Sequence, residues 1–208
     1  MSKRRIAPVA NNAEKQQSYS VQMQRFNKAM KNGFFFEAVL IDYAMIEDRL
    51  RSVLYHSAFF ANRDAMNCWK KTRSYFQQFV MQYKKTNENE KLGVKNISGK
   101  IKIVRSILRW VNETEFDYQN DLYLKTLKNQ CESLDIGGLL ETLEDVEKWC
   151  GYRNEIVHAL MNKNVNSVYL ELEKQARLGM EFARFIDAQE RLLKKGNIVR
   201  NSINAPKE

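Results

Sequence analysis

A chain of 208 residues, 44% of them apolar, can form one domain with a substantial core, which excludes a wholly disordered protein. The net charge of +9 is uneven: residues 62–109 carry 12 Lys and Arg against 3 Asp and Glu, whereas residues 110–190 carry 8 against 16. A basic middle beside an acidic C-terminal half favours attraction of a polyanion such as RNA, and a solvated surface with an interaction patch would show the same imbalance.

Cysteine usage and the N-terminal sequence indicate the compartment. The three cysteines are odd in number and widely spaced, so they fit neither a disulfide framework nor a zinc motif, and we expect buried thiols. The charged N-terminus lacks the apolar stretch of a signal peptide, and no apolar run approaches the roughly 20 residues of a membrane span. We therefore expect a soluble, cytoplasmic protein with no membrane partner.

The first third of the chain predicts two helices. Both prolines, Pro8 and Pro206, lie near the ends, so the long stretch between them lacks the strongest helix breaker. We expect residues 1–12 to be disordered and residues 13–31 to form a polar helix that ends at Gly33. An amphipathic helix follows within residues 34–60, where apolar side chains recur at helical spacing: Phe36, Val39, Leu40, Tyr43, Ile46, Leu50, Val53 and Leu54.

The remaining sequence continues the helical pattern. Further helices are predicted over residues 64–84, from a Ser98 cap to about Asn112, over Leu122–Cys131, from Leu139 onward, and over Val165–Leu193. No alternating run is long enough for a sheet, so the predicted fold class is an all-α helical bundle. We divide the chain into an N-terminal extension (1–32), a helical domain (33–195) and a flexible tail (196–208).

The helix that starts at Leu139 contains an unusual polar cluster. Its core stripe follows steps of four and three residues: Leu139, Leu143, Val146, Cys150, Arg153, Val157 and Leu160. Arg153 therefore falls on a stripe where an unpaired charge is costly. Asn154 and His158 are four residues apart and are surface neighbours on the adjacent row. Gly151, just before them, removes a side chain and would let a substrate or another backbone approach closely.

The three residue types suit phosphodiester chemistry. An imidazole can take and give a proton near neutral pH. A guanidinium binds phosphate oxygens bidentately and stabilises charge that grows on them, while an amide can orient an imidazole. With RNA as substrate, the ribose 2′-OH is itself the nucleophile, so neither a metal nor a cofactor is required.

Structural interpretations of the same cluster remain open. A histidine at a helix interface is often a satisfied core residue, and Arg153 could pair with Glu147, Glu155 or a carboxylate on another helix. Under this alternative the protein is a non-catalytic helical module that binds RNA or a protein, and the cluster stabilises an interface.

The segment "GYRNEIVH", on a late helix of an all-α chain, resembles the Arg-x4–6-His motif of the HEPN superfamily. The resemblance implies a HEPN-like helical bundle and a metal-independent endoribonuclease, of the kind found in toxins, abortive-infection proteins and type VI CRISPR effectors. It implies that Arg153 and His158 are catalytic and that Asn154 supports them. It also implies a homodimer with a composite active site, and an antitoxin or regulatory RNA as a further partner.

One position departs from a known variant of the motif. In HEPN toxins that are paired with nucleotidyltransferase antitoxins, the motif often continues His-x-Tyr, and that tyrosine is modified. Leu160 stands at this position, so we expect an abortive-infection or effector-like relative rather than a tyrosine-modified toxin.

Two other segments of the sequence carry residues that could act on RNA. Arg51 and His56 repeat the Arg-x4-His spacing without the Asn; we interpret Arg51 as the partner of Glu47 and His56 as a helix-end residue, with a second half-site as the alternative. The aromatic and basic segment 69–85 could stack bases and bind phosphates, which makes Lys70, Lys71 and Arg73 the candidate RNA-binding residues, although aromatics at helical spacing are more often core. The two widely separated histidines predict no metal site.

Overall fold

The computed structural model describes residues 12–62, 66–68, 72, 94–113, 121–159, 162 and 164–203. This part of the chain is predominantly helical, which confirms the predicted all-α bundle. The helices are α1 (Asn12–Lys31), α2 (Phe35–His56), α3 (Ile97–Glu113), α4 (Leu122–Cys131), α5 (Ile136–Ala159), α6 (Val165–Lys194) and α7 (Ile198–Ser202), and a 3-10 turn (Lys195–Asn197) joins the last two.

A short β-hairpin corrects one predicted helix. Strands β1 (Phe60–Asn62) and β2 (Asn67–Cys68) pair in an antiparallel manner where the sequence predicts the start of a helix over 64–84. Met66 has a φ of +51° in the connecting turn, which is incompatible with a right-handed helix. The greater part of that predicted helix, including its apolar side chains Trp69, Phe76, Phe79, Val80 and Tyr83, lies outside the described residues.

Two helix starts also differ from the prediction because other side chains cap them. The Asn96 side chain accepts the Gly99 N–H at 2.8 Å, while Ser98 lies inside α3 and donates to Glu147 at 3.3 Å. Helix α5 begins three residues before Leu139, and the Asp135 carboxylate accepts the N–H of Gly138 at 2.9 Å. Because the Asp135 side chain caps α5, this helix tolerates Gly137 and Gly138 in its first turn.

The C-terminal segment is more ordered than the predicted tail. Residues 198–202 form α7, and Val199 is buried against the core. The Arg200 guanidinium donates to the main-chain oxygens of Tyr55, Phe60 and Ala61 at 2.8–3.1 Å. Val199 and Arg200 lie beyond the end of the helix predicted over Val165–Leu193, so the apolar periodicity of the sequence does not indicate them.

Helix α2 is central, and α6 runs parallel to it. Phe35 contacts Tyr169 at one end, with 6.4 Å between ring centroids, and Ser52 donates to Glu190 near the other end at 2.5 Å. Helix α5 runs antiparallel to α6 and donates from Trp149 Nε1 to the Gln175 main-chain oxygen at 3.0 Å. The motif helix is thus fixed against α6 by its central turns.

Close packing of α5, α2 and α6 depends on Gly179. A Cβ at this buried position would lie 2.7 Å from Trp149 Cζ2 and 2.9 Å from Asp42 Cβ. We expect Gly179→Ala to lower the free energy of unfolding by about 1–3 kcal/mol, because overpacking outweighs the helix propensity of alanine.

Gly151→Ala provides the matched control for Gly179→Ala. Gly151 is an exposed helical glycine, and no atom lies within 4 Å of an added Cβ. The control should raise stability by about 0.5–1 kcal/mol, measured by urea unfolding followed by circular dichroism. Equal stability of the two variants would contradict the close approach at Gly179.

None of the helices in the described ranges combines the length and apolar character that a membrane crossing requires.

Candidate functional site

The last two turns of α5 carry the polar cluster. Asn154 and His158 are both exposed on the outer side of this helix, as their four-residue spacing predicts. Arg153 is half-buried and turns toward α2. The helix therefore presents an amide and an imidazole to solvent and holds the guanidinium at the edge of the core.

Tyr43 of α2 holds the guanidinium. Arg153 Cζ lies 4.2 Å from the centroid of the Tyr43 ring, a cation–π distance, and Arg153 Nε is buried without a hydrogen-bond partner. Burial raises the pKa of Tyr43, and the charge and hydrogen bond of Arg153 oppose this increase. Arg153 is thus oriented by an aromatic face rather than by an ion pair within the described part of the chain.

The carboxylates proposed as partners of Arg153 do not form ion pairs with it. Glu147 instead binds Arg105 at 3.1 Å, so that alternative is wrong. Within the described part of the chain, Glu155 forms no ion pair with Arg153 either. Arg153 differs in this from the arginines at positions 25, 49, 105, 109, 177 and 191, each of which forms an ion pair.

Cys150, one turn before Arg153, is not a competing nucleophile. Burial raises the pKa of its thiol to about 12, although the Arg153 charge acts in the opposite direction. The neutral thiol is unreactive at physiological pH. The chemistry available at this end of α5 is therefore acid–base chemistry at His158, anion binding at Arg153 and hydrogen bonding at Asn154.

Comparisons with protein-family models, curated proteins and solved structures found no match.

The second Arg-x4-His pair, Arg51 and His56, differs from the first because its histidine is buried. His56 is the last residue of α2, as predicted, but it is buried, and its Nε2 lies 3.3 Å from Glu190 Oε1. Burial, with the charges of Lys194 and Arg200, lowers the pKa of His56 to about 4. A buried, neutral histidine bound to a carboxylate is a structural residue, not an accessible half-site.

The interpretation of Arg51 as the partner of Glu47 is wrong. Glu47 binds Lys100 of α3 at 2.8 Å, because the buried ammonium group of Lys100 requires a counter-charge. Arg51 is half-buried and its Nε lacks a hydrogen-bond partner.

Several predicted residues cannot be placed. Lys70, Lys71 and Arg73 lie outside the described residues, as does Leu160, and the side chain of Val157 is not described. In the described ranges no group of three or more His, Cys, Asp and Glu residues is arranged to hold a metal ion.

The sequence pattern does not identify Tyr43 as a member of the site. It predicts Tyr43 on the core stripe of α2, and the contact with Arg153 joins residues 110 positions apart, so no local pattern could indicate it. The available signal was weaker: a lone arginine on an apolar stripe requires a partner, and an aromatic ring is one of few choices.

Proposed function

We propose that this chain is a HEPN-like, metal-independent endoribonuclease that cleaves single-stranded or loop RNA. His158 is the general acid/base, Arg153 stabilises the charge on the phosphorus transition state, and Asn154 orients the imidazole or holds the phosphate. The resemblance of the motif to HEPN proteins supplies the reaction class, with a role in defence or a toxin–antitoxin system and an antitoxin or regulatory RNA as a further partner.

One observation supports this proposal most directly. The Arg153 guanidinium forms no ion pair in the described part of the chain, and it lies one residue before the exposed Asn154 amide and five residues before the exposed His158 imidazole. An arginine with a purely electrostatic structural role would be expected to contact a carboxylate, as most described arginines do. The charge of Arg153 remains available to a phosphate that approaches from the solvent side.

The proposed reaction is an in-line transfer at phosphorus. An imidazole takes the 2′-OH proton, the 2′-oxygen forms a bond to phosphorus, and the bond from phosphorus to the 5′-oxygen breaks. The departing 5′-oxygen receives a proton, so the products are a 2′,3′-cyclic phosphate and a 5′-hydroxyl end. Arg153 would bind the non-bridging oxygens, on which negative charge increases.

A second subunit would turn the exposed motif into a groove. Asn154 and His158 are exposed on α5, and Arg153 is half-buried beside them. Phe34 and Leu170 are exposed near the contact between Phe35 and Tyr169, at the end of α6 that follows the motif helix. Exposed apolar side chains are typical of interfaces, which supports a homodimer with a shared site.

This dimer predicts the effect of a charge at Leu170, whose side chain is 73% exposed. Leu170→Asp should weaken association at least about tenfold, because an interfacial carboxylate would lose its hydration. Sedimentation velocity over a concentration series measures this change. Leu192→Asp, at an exposed position near the opposite end of α6, is the control; equal weakening by both variants would place the interface elsewhere.

The direct test is cleavage of 5′-labelled RNA in the presence of EDTA. Cleavage that continues in EDTA and leaves 2′,3′-cyclic phosphate ends is expected. A substrate with a single 2′-deoxy nucleotide should resist cleavage at that position, because the nucleophile is missing. Activity that is lost in EDTA would contradict the metal-free mechanism, and cleavage at the deoxy position would contradict 2′-OH attack.

The stacking of Arg153 on Tyr43 favours the second candidate, a non-catalytic binding module. In that case the guanidinium joins α5 to α2, and its buried Nε contributes nothing to catalysis. Purified wild-type protein would then cut no RNA, while Arg153→Ala would lower the melting temperature.

A further inference from the structure

A cavity separate from the motif helix lies between α1, α2 and α6. Its volume is about 600 Å³, and no residue of α5 lines it. Small-molecule sites are typically about 300–1,000 Å³. The cavity is therefore large enough for a ligand of metabolite size.

Buried polar side chains form one end of the cavity. Glu190 and Ser52 are both buried and both line it, and Ser52 Oγ donates to Glu190 Oε1 at 2.5 Å. His56 lies behind them, with its Nε2 3.3 Å from the same oxygen. The other oxygen, Oε2, is 3.9 Å from the nearest Arg49 nitrogen, which is too far for a hydrogen bond. Glu190 therefore retains an acceptor for a ligand hydroxyl or amino group.

The side walls are fixed by contacts between α1 and α2. Arg49 lies over the Tyr19 ring, with 4.0 Å from Cζ to the centroid, and pairs with Asp187 at 2.7 Å. The Tyr19 hydroxyl donates to Asp48 at 2.6 Å. These interactions hold the wall residues in place without a ligand, which lowers the entropic cost of binding.

Positive charge dominates the lining. Five Lys and Arg residues line the cavity against two carboxylates. Asp187 already binds Arg49 and Arg191, and Lys15 binds Asp48. Arg184 and Lys194 are exposed, and in the described part of the chain neither forms an ion pair.

We propose that this cavity binds a small phosphorylated ligand whose uncharged part carries hydroxyl or amino groups. The phosphate binds Lys194, which lies one turn after Glu190 on α6 and supplies charge-assisted hydrogen bonds, while Arg184 adds positive charge farther along the same wall. The uncharged part extends inward, where its hydroxyl or amino groups donate to Glu190. This proposal does not depend on ribonuclease activity, since none of its residues belongs to the motif.

Isothermal titration calorimetry with defined probes tests the proposal. Glucose 6-phosphate, glycerol 3-phosphate and ribose 5-phosphate should include at least one saturable ligand, with glucose inactive and inorganic phosphate weaker. Arg184→Ala/Lys194→Ala should raise the Kd at least about tenfold, because the charge-assisted hydrogen bond from Lys194 and the positive charge of Arg184 are both lost. The matched control Lys174→Ala/Arg177→Ala removes two exposed charges of the same helix that do not line the cavity.

Glu190→Gln tests the contact with the uncharged part of the ligand independently of the contact with its phosphate. This variant should weaken binding of the phosphoester but leave binding of inorganic phosphate unchanged, and circular dichroism verifies that each variant is folded. Absence of saturable binding by all three phosphoesters would overturn the proposal, as would equal weakening in the control double variant. Equal affinity for inorganic phosphate would show an anion site only, and displacement of the probe by single-stranded RNA would assign the cavity to an RNA contact instead.

Discussion

His158→Ala is expected to reduce the single-turnover rate of RNA cleavage by a factor of about 10²–10⁴, the usual contribution of general acid–base catalysis. The melting temperature should not change, because the His158 side chain is exposed on α5. Arg153→Ala should lower the rate by about 10²–10³, as removal of a transition-state donor typically does. Arg153→Lys should not restore activity, because an ammonium group cannot bind two phosphate oxygens in the planar geometry of a guanidinium.

The control for these variants removes a different charge from the same helix. Lys148 is exposed on α5 and pairs with Asp145 at 2.9 Å, so Lys148→Ala tests the general effect of lost positive charge. Its activity should remain within about twofold of the wild type, since exposed ion pairs contribute little. Wild-type rates in His158→Ala or Arg153→Ala would remove these residues from the mechanism.

The second large effect concerns a buried carboxyl group. Asp42 lies on α2 beneath Gly179, is fully buried, and has no hydrogen-bond partner for either oxygen. Burial raises its pKa to about 8, against a partial opposing effect of the Arg184 charge. We expect Asp42→Asn to be more stable than the wild type at pH 8 and similar to it near pH 4.

The sign follows from proton binding. Below pH 4 the carboxyl group is protonated in both the folded and the unfolded chain, so the stability associated with Asp42 is fully present. Between about pH 4 and pH 8 only the unfolded chain ionises, and the free energy of unfolding falls as pH rises. The loss is several kcal/mol at most, since one pKa unit corresponds to about 1.4 kcal/mol.

Urea unfolding of both proteins from pH 4 to pH 9 measures this difference. The difference in unfolding free energy between Asp42→Asn and the wild type should grow with pH and level off above pH 8. Asp145→Asn, at an exposed carboxylate, should show no such growth. A difference that is constant with pH would mean that Asp42 ionises normally in the folded protein.

Periodic apolar spacing predicted α4 and α6 almost to the residue, because their helical stripes continue without interruption to a strong boundary. Asn164 supplies that boundary for α6, where its side chain accepts two backbone N–H groups at 3.0 and 3.2 Å. Predictions failed where capping decided the start, as at α5, and where a turn with positive φ replaced a helix near Met66. Such boundaries depend on single hydrogen bonds that an apolar pattern does not contain.

The candidate site was predictable in its local part only. The spacing of Asn154 and His158 correctly placed both side chains on one exposed row of α5. The position of Arg153 on the core stripe predicted its partial burial, but its contact with Tyr43 depends on how α5 packs against α2. Likewise, the cavity between α1, α2 and α6 brings together residues more than 130 positions apart, and only tertiary packing reveals it.

The interactions of Arg200 delay one part of the folding of this protein during its synthesis. Its guanidinium satisfies carbonyl oxygens at Tyr55, Phe60 and Ala61, which precede it by 139 to 145 residues. During synthesis on the ribosome, these carbonyl oxygens therefore stay hydrated until about 140 further residues, through Arg200, have been translated. Completion of this part of the fold, and any activity that requires it, would thus follow the emergence of α7 from the ribosome.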